Sequence, residues 1–89
     1  MNQHELKIWP KSFDAIKYGL ESFKIRLNDR GFNAGDVLIL QEYEAGKQEY
    51  TGREITAHVT YLLQGGEAEV FGLCNGFAVM SIAILNITE

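Results

Sequence analysis

The stretch that decides the fold is KYGLESFKIRLNDR, residues 17–30. It predicts the end of a helix, a glycine stop, a strand and a polar turn. Phe23, Ile25 and Leu27 alternate with serine, lysine and arginine, which is the two-residue period of a strand with one apolar and one polar face. Gly19 suits the helix end because glycine adopts the left-handed conformation without a Cβ clash.

The residues before this stretch complete a strand–helix unit. Residues 4–9 alternate between polar and apolar side chains, which predicts strand one. Pro10 ends that strand and pre-sets the backbone for the start of a helix. Phe13 and Ile16 then fall at helical spacing. The predicted helix is short, about two to three turns before the glycine stop.

The residues after the stretch predict further strands joined by tight turns. Strands are expected at residues 37–43 and 50–63, with Gly46 at the tip of the hairpin between them. Residues 64–69 are expected to form a flexible loop. The last strand, residues 77–87, is apolar at nearly every position, so it should be buried on both faces or pair at a subunit contact. Such turns favour a largely antiparallel sheet that curls into a small barrel and removes its edges.

Size and composition indicate one small globular domain, residues 1–89, in the cytoplasm. Apolar residues make up 46% of the chain, which is too many for a disordered protein. Cys74 is the single cysteine and cannot form an internal disulfide, which favours a reducing compartment. The first residues lack a secretory signal pattern, and no apolar run is long enough to span a bilayer. No membrane partner is therefore expected.

The distribution of charge predicts a local basic site on an acidic protein. The net charge of −4 argues against a non-specific nucleic-acid binder. However, six of the 8 Lys and Arg residues lie within the first 30 positions, and most of the acidic excess follows Asp36. His4, His58 and Cys74 lack the neighbours of a metal site or an activated nucleophile. We therefore expect no metal, no cofactor and no catalytic residue.

Three blocks of sequence carry a resemblance: HELKIWP at residues 4–10, IRLNDR at 25–30 and YTGR at 50–53, of which the last two are specific in combination. They resemble a small bacterial and phage family of unknown function within the ASCH group of PUA-like domains. The resemblance covers nearly the whole chain. It implies an α+β fold, a PUA-like, ASCH-like, mostly antiparallel β-barrel with one short helix after strand one. It also implies RNA binding in a cleft beside that helix.

The chain departs from the ASCH signature in the turn after the helix. Gly19 and Arg26 match the signature, but Leu20 does not. Some relatives are small amidohydrolases that act on acetylated cytidine, and the resemblance assigns their activity to a lysine and a threonine of this turn. Glu21 and Lys24 occupy those two positions here, which weakens the expectation of an enzyme. On a strand these two side chains point to opposite faces, so they can pair only through the turn.

The charge asymmetry and the resemblance together predict an RNA- or nucleotide-binding module. In such a cleft, cations hold phosphates and an aromatic ring stacks a base. The predicted site residues are Lys7, Trp9, Lys17, Lys24, Arg26 and Arg30.

Simpler interpretations of the same residues stay open. Trp9 could pack against the helix, and the lysines could be solvated. Arg26 could form an ion pair with Asp29 or Asp36. Arg30 and Arg53 could fix turns or lie on the surface.

Two other functions also stay open. One is an amidohydrolase that acts on a modified nucleoside. The other is an oligomeric protein-interaction domain, such as a homodimer. The acidic body and the very apolar last strand favour this second alternative.

Overall fold

The computed structural model describes residues 2–89 and consists of one curled β-sheet with two short helices. The elements are β1 (Gln3–Ile8), α1 (Pro10–Lys17), β2 (Phe23–Leu27), β3 (Val37–Glu44), β4 (Glu49–Gln64), α2 (Gly66–Val70) and β5 (Phe77–Thr88). Their order across the sheet is β1-β3-β4-β5-β2. The β1–β3 pair is parallel, and the other three pairs are antiparallel. The first two strands of the chain are therefore the two edges of the sheet.

The sheet forms a half-barrel rather than the closed barrel expected from the sequence. The pairing of β3 with β4 shifts register between Gln41 and Tyr43, and the pairing of β4 with β5 shifts register twice. Bulges of this kind increase the local twist and bend the strands. Among residues 2–89, β1 and β2 share no backbone ladder. The curl thus leaves a seam between the two edge strands.

Helix α1 covers the concave side of the half-barrel. It begins at Pro10, whose fixed φ suits the first helical position, and the chain leaves it through Gly19 at a φ of 76°. Phe13 and Ile16 are its buried residues. They join inward-facing side chains of the sheet in one apolar core. The core residues are Leu6, Ile8, Phe13, Ile16, Phe32, Leu38, Leu40, Ile55, Ala57, Val59, Met80 and Ile82.

Strand β2 turns its polar face toward this core. Lys24 is only 7% exposed, whereas Ile25 and Leu27 are 46% and 47% exposed. Lys24 is paired with Met80 of β5, so both side chains lie on the same face of the sheet, and Met80 belongs to the core. The alternation in the sequence indicates two faces but not which one packs inward. The apolar face of β2 is left on the convex side.

Two predictions for the second half of the chain were wrong. Residues 64–69 do not form a flexible loop, because β4 runs to its end at Gln64 and α2 follows almost at once. Ala68 is buried, and its tertiary contact stabilises a helix that the local sequence does not indicate. For strand β5, only the first of the two expected alternatives, burial on both faces, is wrong, and the subunit contact stays a prediction. Met80 is fully buried, but Leu85 is 55% exposed.

A buried ion pair joins β3 to β4, and its arginine also contacts α1. Glu42 has a side chain that is 3% exposed, and it accepts hydrogen bonds from Arg53 Nη2 at 2.6 Å and Nε at 2.8 Å. The Arg53 guanidinium also lies 4.2 Å from the ring centre of Phe13. The hydrogen bonds from Arg53 outweigh the effect of burial and hold the pKa of Glu42 below its ordinary value. Arg53 is therefore a structural link between strands and helix, rather than a turn or surface residue.

Replacing Arg53 with Met should lower the free energy of unfolding by about 3 kcal/mol, because the Glu42 carboxylate then stays buried without its partner. Chemical denaturation followed by circular dichroism measures this change. Lys47→Met is the matched control, since the Lys47 side chain is 68% exposed in its pair with Glu44 and such pairs contribute little. Equal loss of stability in both variants would contradict the structural role of Arg53.

Candidate functional site

A groove follows the seam between β1 and β2, and we call it the seam groove. Its volume is about 820 Å³. A second hollow of about 370 Å³, the helix pocket, adjoins it beside α1 and shares Lys7, Trp9 and Arg26 with it. Both volumes fall within the range of small-molecule sites. The seam groove is lined by Glu5, Leu6, Lys7, Trp9, Arg26, Leu27, Asp29, Arg30, Phe32, Gln41 and Tyr50.

Two arginines bridge the seam through backbone carbonyls of β1. Arg26 Nη2 donates to the carbonyl oxygen of Lys7 at 3.0 Å. Arg30 Nη1 donates to the carbonyl oxygen of Glu5 at 2.6 Å. Arg26 belongs to β2, and Arg30 belongs to the turn that follows it. Side chains thus replace the backbone ladder that would otherwise close the barrel.

Most cations around the seam have no carboxylate partner. Among residues 2–89, four cations of the two hollows have no carboxylate oxygen within 4.0 Å: Lys7, Arg26 and Arg30 of the seam groove, and Lys11 of the helix pocket. The alternative ion pair of Arg26 with Asp29 or Asp36 is therefore absent from the described residues. By contrast, every cation outside the two hollows pairs with a glutamate, and these cations are Lys17, Lys47 and Arg53. Uncompensated positive charge is concentrated at the seam, where Glu5 and Asp29 are the acidic lining residues.

Two exposed aromatic rings line the seam groove. Trp9 is 72% exposed and Tyr50 is 52% exposed. Trp9 therefore does not pack against the helix, which was the simpler interpretation of this residue. Tyr50 contacts Tyr43, with ring centres 5.0 Å apart, and the Lys7 ammonium lies 4.3 Å from the ring centre of Tyr43. Open aromatic faces beside cations are suited to stacking unpaired bases.

The helix pocket contains a buried lysine in contact with a hydroxyl and a carboxylate. Lys24 Nζ donates to Ser12 Oγ at 2.8 Å and to Glu21 Oε2 at 3.3 Å. Ser12 Oγ in turn donates to Glu21 Oε2 at 2.8 Å. Burial lowers the pKa of Lys24 below its ordinary value, Glu21 opposes this shift, and Arg26 adds to it. Glu21 lies in the turn before β2, so the ion pair between Glu21 and Lys24 forms through the turn.

The structure brings together most, but not all, of the residues predicted from the sequence. The predicted residues that line the seam groove are Lys7, Trp9, Arg26 and Arg30, and Lys24 lines the helix pocket. Lys17 lies outside both hollows, and its ammonium pairs with Glu89 at 2.8 Å. Ser12 and Tyr50 also line these hollows, although they are not among the residues predicted from the sequence. No local pattern shows that Ser12 faces β2 or that Tyr50 reaches β1, because both contacts depend on the curl of the sheet.

The His4–Asp36 pair braces the start of β1. His4 Nε2 lies 3.0 Å from Asp36 Oδ2, and the Asp36 carboxylate also accepts hydrogen bonds from the backbone N–H groups of Asn2 and Asn33. Burial would raise the pKa of Asp36, but these hydrogen bonds outweigh it and lower that pKa. Within residues 2–89, no three metal-ligating side chains cluster, and no helix is long and apolar enough to cross a bilayer.

The fold and the groove define a small β-rich half-barrel with a polar, aromatic-lined seam. The chain belongs to the family described as Domain of unknown function (DUF3850), whose family model matches residues 3–82. The chain is also similar to the "Uncharacterized 12.9 kDa protein in GpA 3'region" of Escherichia phage P2, with 39% identity over 57 residues. These residues are 64% of this chain and 50% of the phage protein. The chain thus spans half the length of that relative.

Proposed function

We propose that the seam groove binds a segment of single-stranded RNA or a nucleotide. The observation that carries this proposal is the placement of two exposed rings, Trp9 and Tyr50, beside cations that lack carboxylate partners. The rings offer faces on which bases stack, Lys7 can hold a phosphate in the groove, and Lys11 can hold one in the adjoining helix pocket.

The bridging arginines keep hydrogen-bonding capacity for a ligand. A guanidinium has about five N–H donors in a planar fork. Arg26 donates to the carbonyl oxygens of Ile25 and Lys7, and Arg30 donates to that of Glu5. The remaining donors of each arginine are available to phosphate oxygens at the seam. Phosphate would then contact the same side chains that hold β1 and β2 together.

A single strand fits this site better than a duplex. The net charge of −4 gives little long-range attraction to a densely charged duplex, so binding has to rely on local contacts. Stacking on exposed rings requires bases that are not already stacked within a helix. The seam groove meets both conditions, because it combines a few cations with open aromatic faces.

The proposal includes membership of the ASCH group of PUA-like domains. A helix that directly follows strand one, and a mostly antiparallel curled sheet beside it, support this assignment. The resemblance places the RNA-binding cleft of such domains beside the first helix. The seam groove and the helix pocket lie in the corresponding region, next to α1.

We expect the protein to bind a short, end-labelled single-stranded RNA with an affinity that falls as salt rises, with a log–log slope of about −2 for roughly three phosphate contacts. Trp9→Ala should weaken binding about tenfold because a stacking surface is lost. Lys7→Ala should reduce the magnitude of the salt slope by about one, and Arg26→Ala should also weaken binding. Fluorescence anisotropy titrations at several salt concentrations measure these effects.

Two matched variants control for unspecific effects of these substitutions. Tyr18→Ala removes an aromatic ring that is 69% exposed but lies outside the groove. Lys47→Ala removes a cation that pairs with Glu44 elsewhere on the surface. Both should bind RNA as the unmodified chain does. Absence of binding by the unmodified chain at low salt would end the proposal.

A second function, hydrolysis of an acetylated nucleoside, is supported by the contact of Ser12, Lys24 and Glu21 in the helix pocket. The resemblance implies a lysine and a threonine from the turn, whereas here α1 supplies a hydroxyl and β2 supplies an amine. In this reaction Ser12 Oγ bonds to the amide carbonyl carbon as its proton passes to Glu21. The amine then leaves with that proton, and water hydrolyses the acetylated serine. The Lys24 ammonium would stabilise the developing negative charge.

If this second function is right, the protein releases acetate from acetylated cytidine, and Ser12→Ala abolishes the release because the nucleophile is gone. Chromatography of the nucleoside products measures the reaction. Ser22→Ala is the control, since Ser22 is exposed and lies outside the pocket. An inactive unmodified chain, or equal activity in Ser12→Ala, would rule out this function. Neither result would affect RNA binding at Trp9.

A further inference from the structure

We infer that the convex side of the sheet is a contact surface between two copies of this chain. Six apolar residues form a continuous patch there, which we call the outer patch: Phe23, Ile25, Tyr61, Leu63, Phe71 and Val79. Ile25 of β2 pairs with Val79 of β5, and Val79 pairs with Leu63 of β4. Residues paired in this way share one face of the sheet. This row of the patch therefore crosses three strands, and in the next row Phe23 and Tyr61 lie on either side of Ser81.

The outer patch is large for a monomer. Its aromatic residues Phe23, Tyr61 and Phe71 are 46%, 63% and 81% exposed. These three rings alone present on the order of 400 Å² to solvent. Ile25 and Leu63, at 46% and 40% exposed, add further apolar area. With Val79, the six residues expose on the order of 600 Å², which is the upper end of what most monomers expose in one place. Two such patches in contact would bury roughly 1,200 Å², the lower limit of a specific interface.

The chemistry of the patch favours a second copy over a different partner. None of its six members carries a charge, and interfaces between identical subunits are more apolar than transient ones. A two-fold dimer also requires a surface that is complementary to itself. The outer patch carries both the protruding ring of Phe71 and a hollow of about 580 Å³ lined in part by Tyr61, Leu63 and Leu73. Phe71 and Glu67 also line this hollow, so the Phe71 rings of the two copies would meet there beside the Glu67 side chains.

Such a dimer explains the orientation of β2. The strand turns Lys24 inward and Ile25 outward, which leaves apolar side chains in water in a single chain. Contact with a second copy would bury them. From β2 the seam groove is lined by Arg26, on the opposite face, and by Leu27 at the end of the strand. Neither residue belongs to the outer patch, so the groove stays accessible in the dimer.

The test is the mass of the unmodified chain in solution, measured by sedimentation equilibrium across a range of concentrations. We expect twice the chain mass of 10.0 kDa. Phe71→Glu should shift the mass to that of the single chain, because each interface then buries two carboxylates. Trp9→Glu is the matched control, since Trp9 is also a highly exposed ring but lies in the seam groove. It should leave the dimer intact.

Circular dichroism of each variant establishes that it is folded. Tyr61→Glu provides a second probe on β4, so that a folding defect in one variant does not decide the result. A chain that stays monomeric at high concentration would overturn the inference. A dimer that survives both Phe71→Glu and Tyr61→Glu, or one that Trp9→Glu dissociates, would place the contact elsewhere and overturn it as well.

Discussion

Two hydrogen bonds from arginine side chains to backbone carbonyls hold together a sheet that its own backbone leaves open. Arg26 and Arg30 reach across from β2 and its following turn to Lys7 and Glu5 of β1. A side-chain bridge is longer than a backbone ladder, so the two edges stay apart and a groove forms between them. The site and the closure of the half-barrel therefore depend on the same contacts.

This arrangement determines which way β2 faces. Its polar side has to turn inward for Arg26 to reach β1, and the same alternation buries Lys24. A buried ammonium is costly unless it is hydrogen-bonded and paired, which the contacts with Ser12 and Glu21 provide. The apolar side of the strand is left outside. The seam groove, the helix pocket and the outer patch are thus consequences of one strand orientation.

The sequence predicts where most strands and the first helix lie better than it predicts how these elements pair and pack. Alternation, Pro10 and Gly19 place β1, α1 and β2 to within a few residues, because these signals are local. The two-residue period of β2 does not determine which face of the strand packs inward, because the inward face depends on how β2 pairs with β5. The role of Arg53 could not be predicted locally either, because its buried partner Glu42 is on another strand. Helix α2 was not predicted because a tertiary contact of Ala68 stabilises it. For the candidate site, the cations could be named from charge asymmetry, but Ser12 could not.

Amide hydrogen exchange in the Arg26→Met/Arg30→Met double variant tests most directly whether side chains close the seam. Without the two bridges, the side of β1 that faces β2 has no hydrogen bonds to hold it, and the strand relies on its parallel pairing with β3, the His4–Asp36 contact and its core side chains. Exchange of the β1 amides should therefore become much faster, while amides at the centre of β4, which has a partner on each side, keep their protection. Unchanged protection of β1 in the double variant would contradict this explanation of the fold and of the groove.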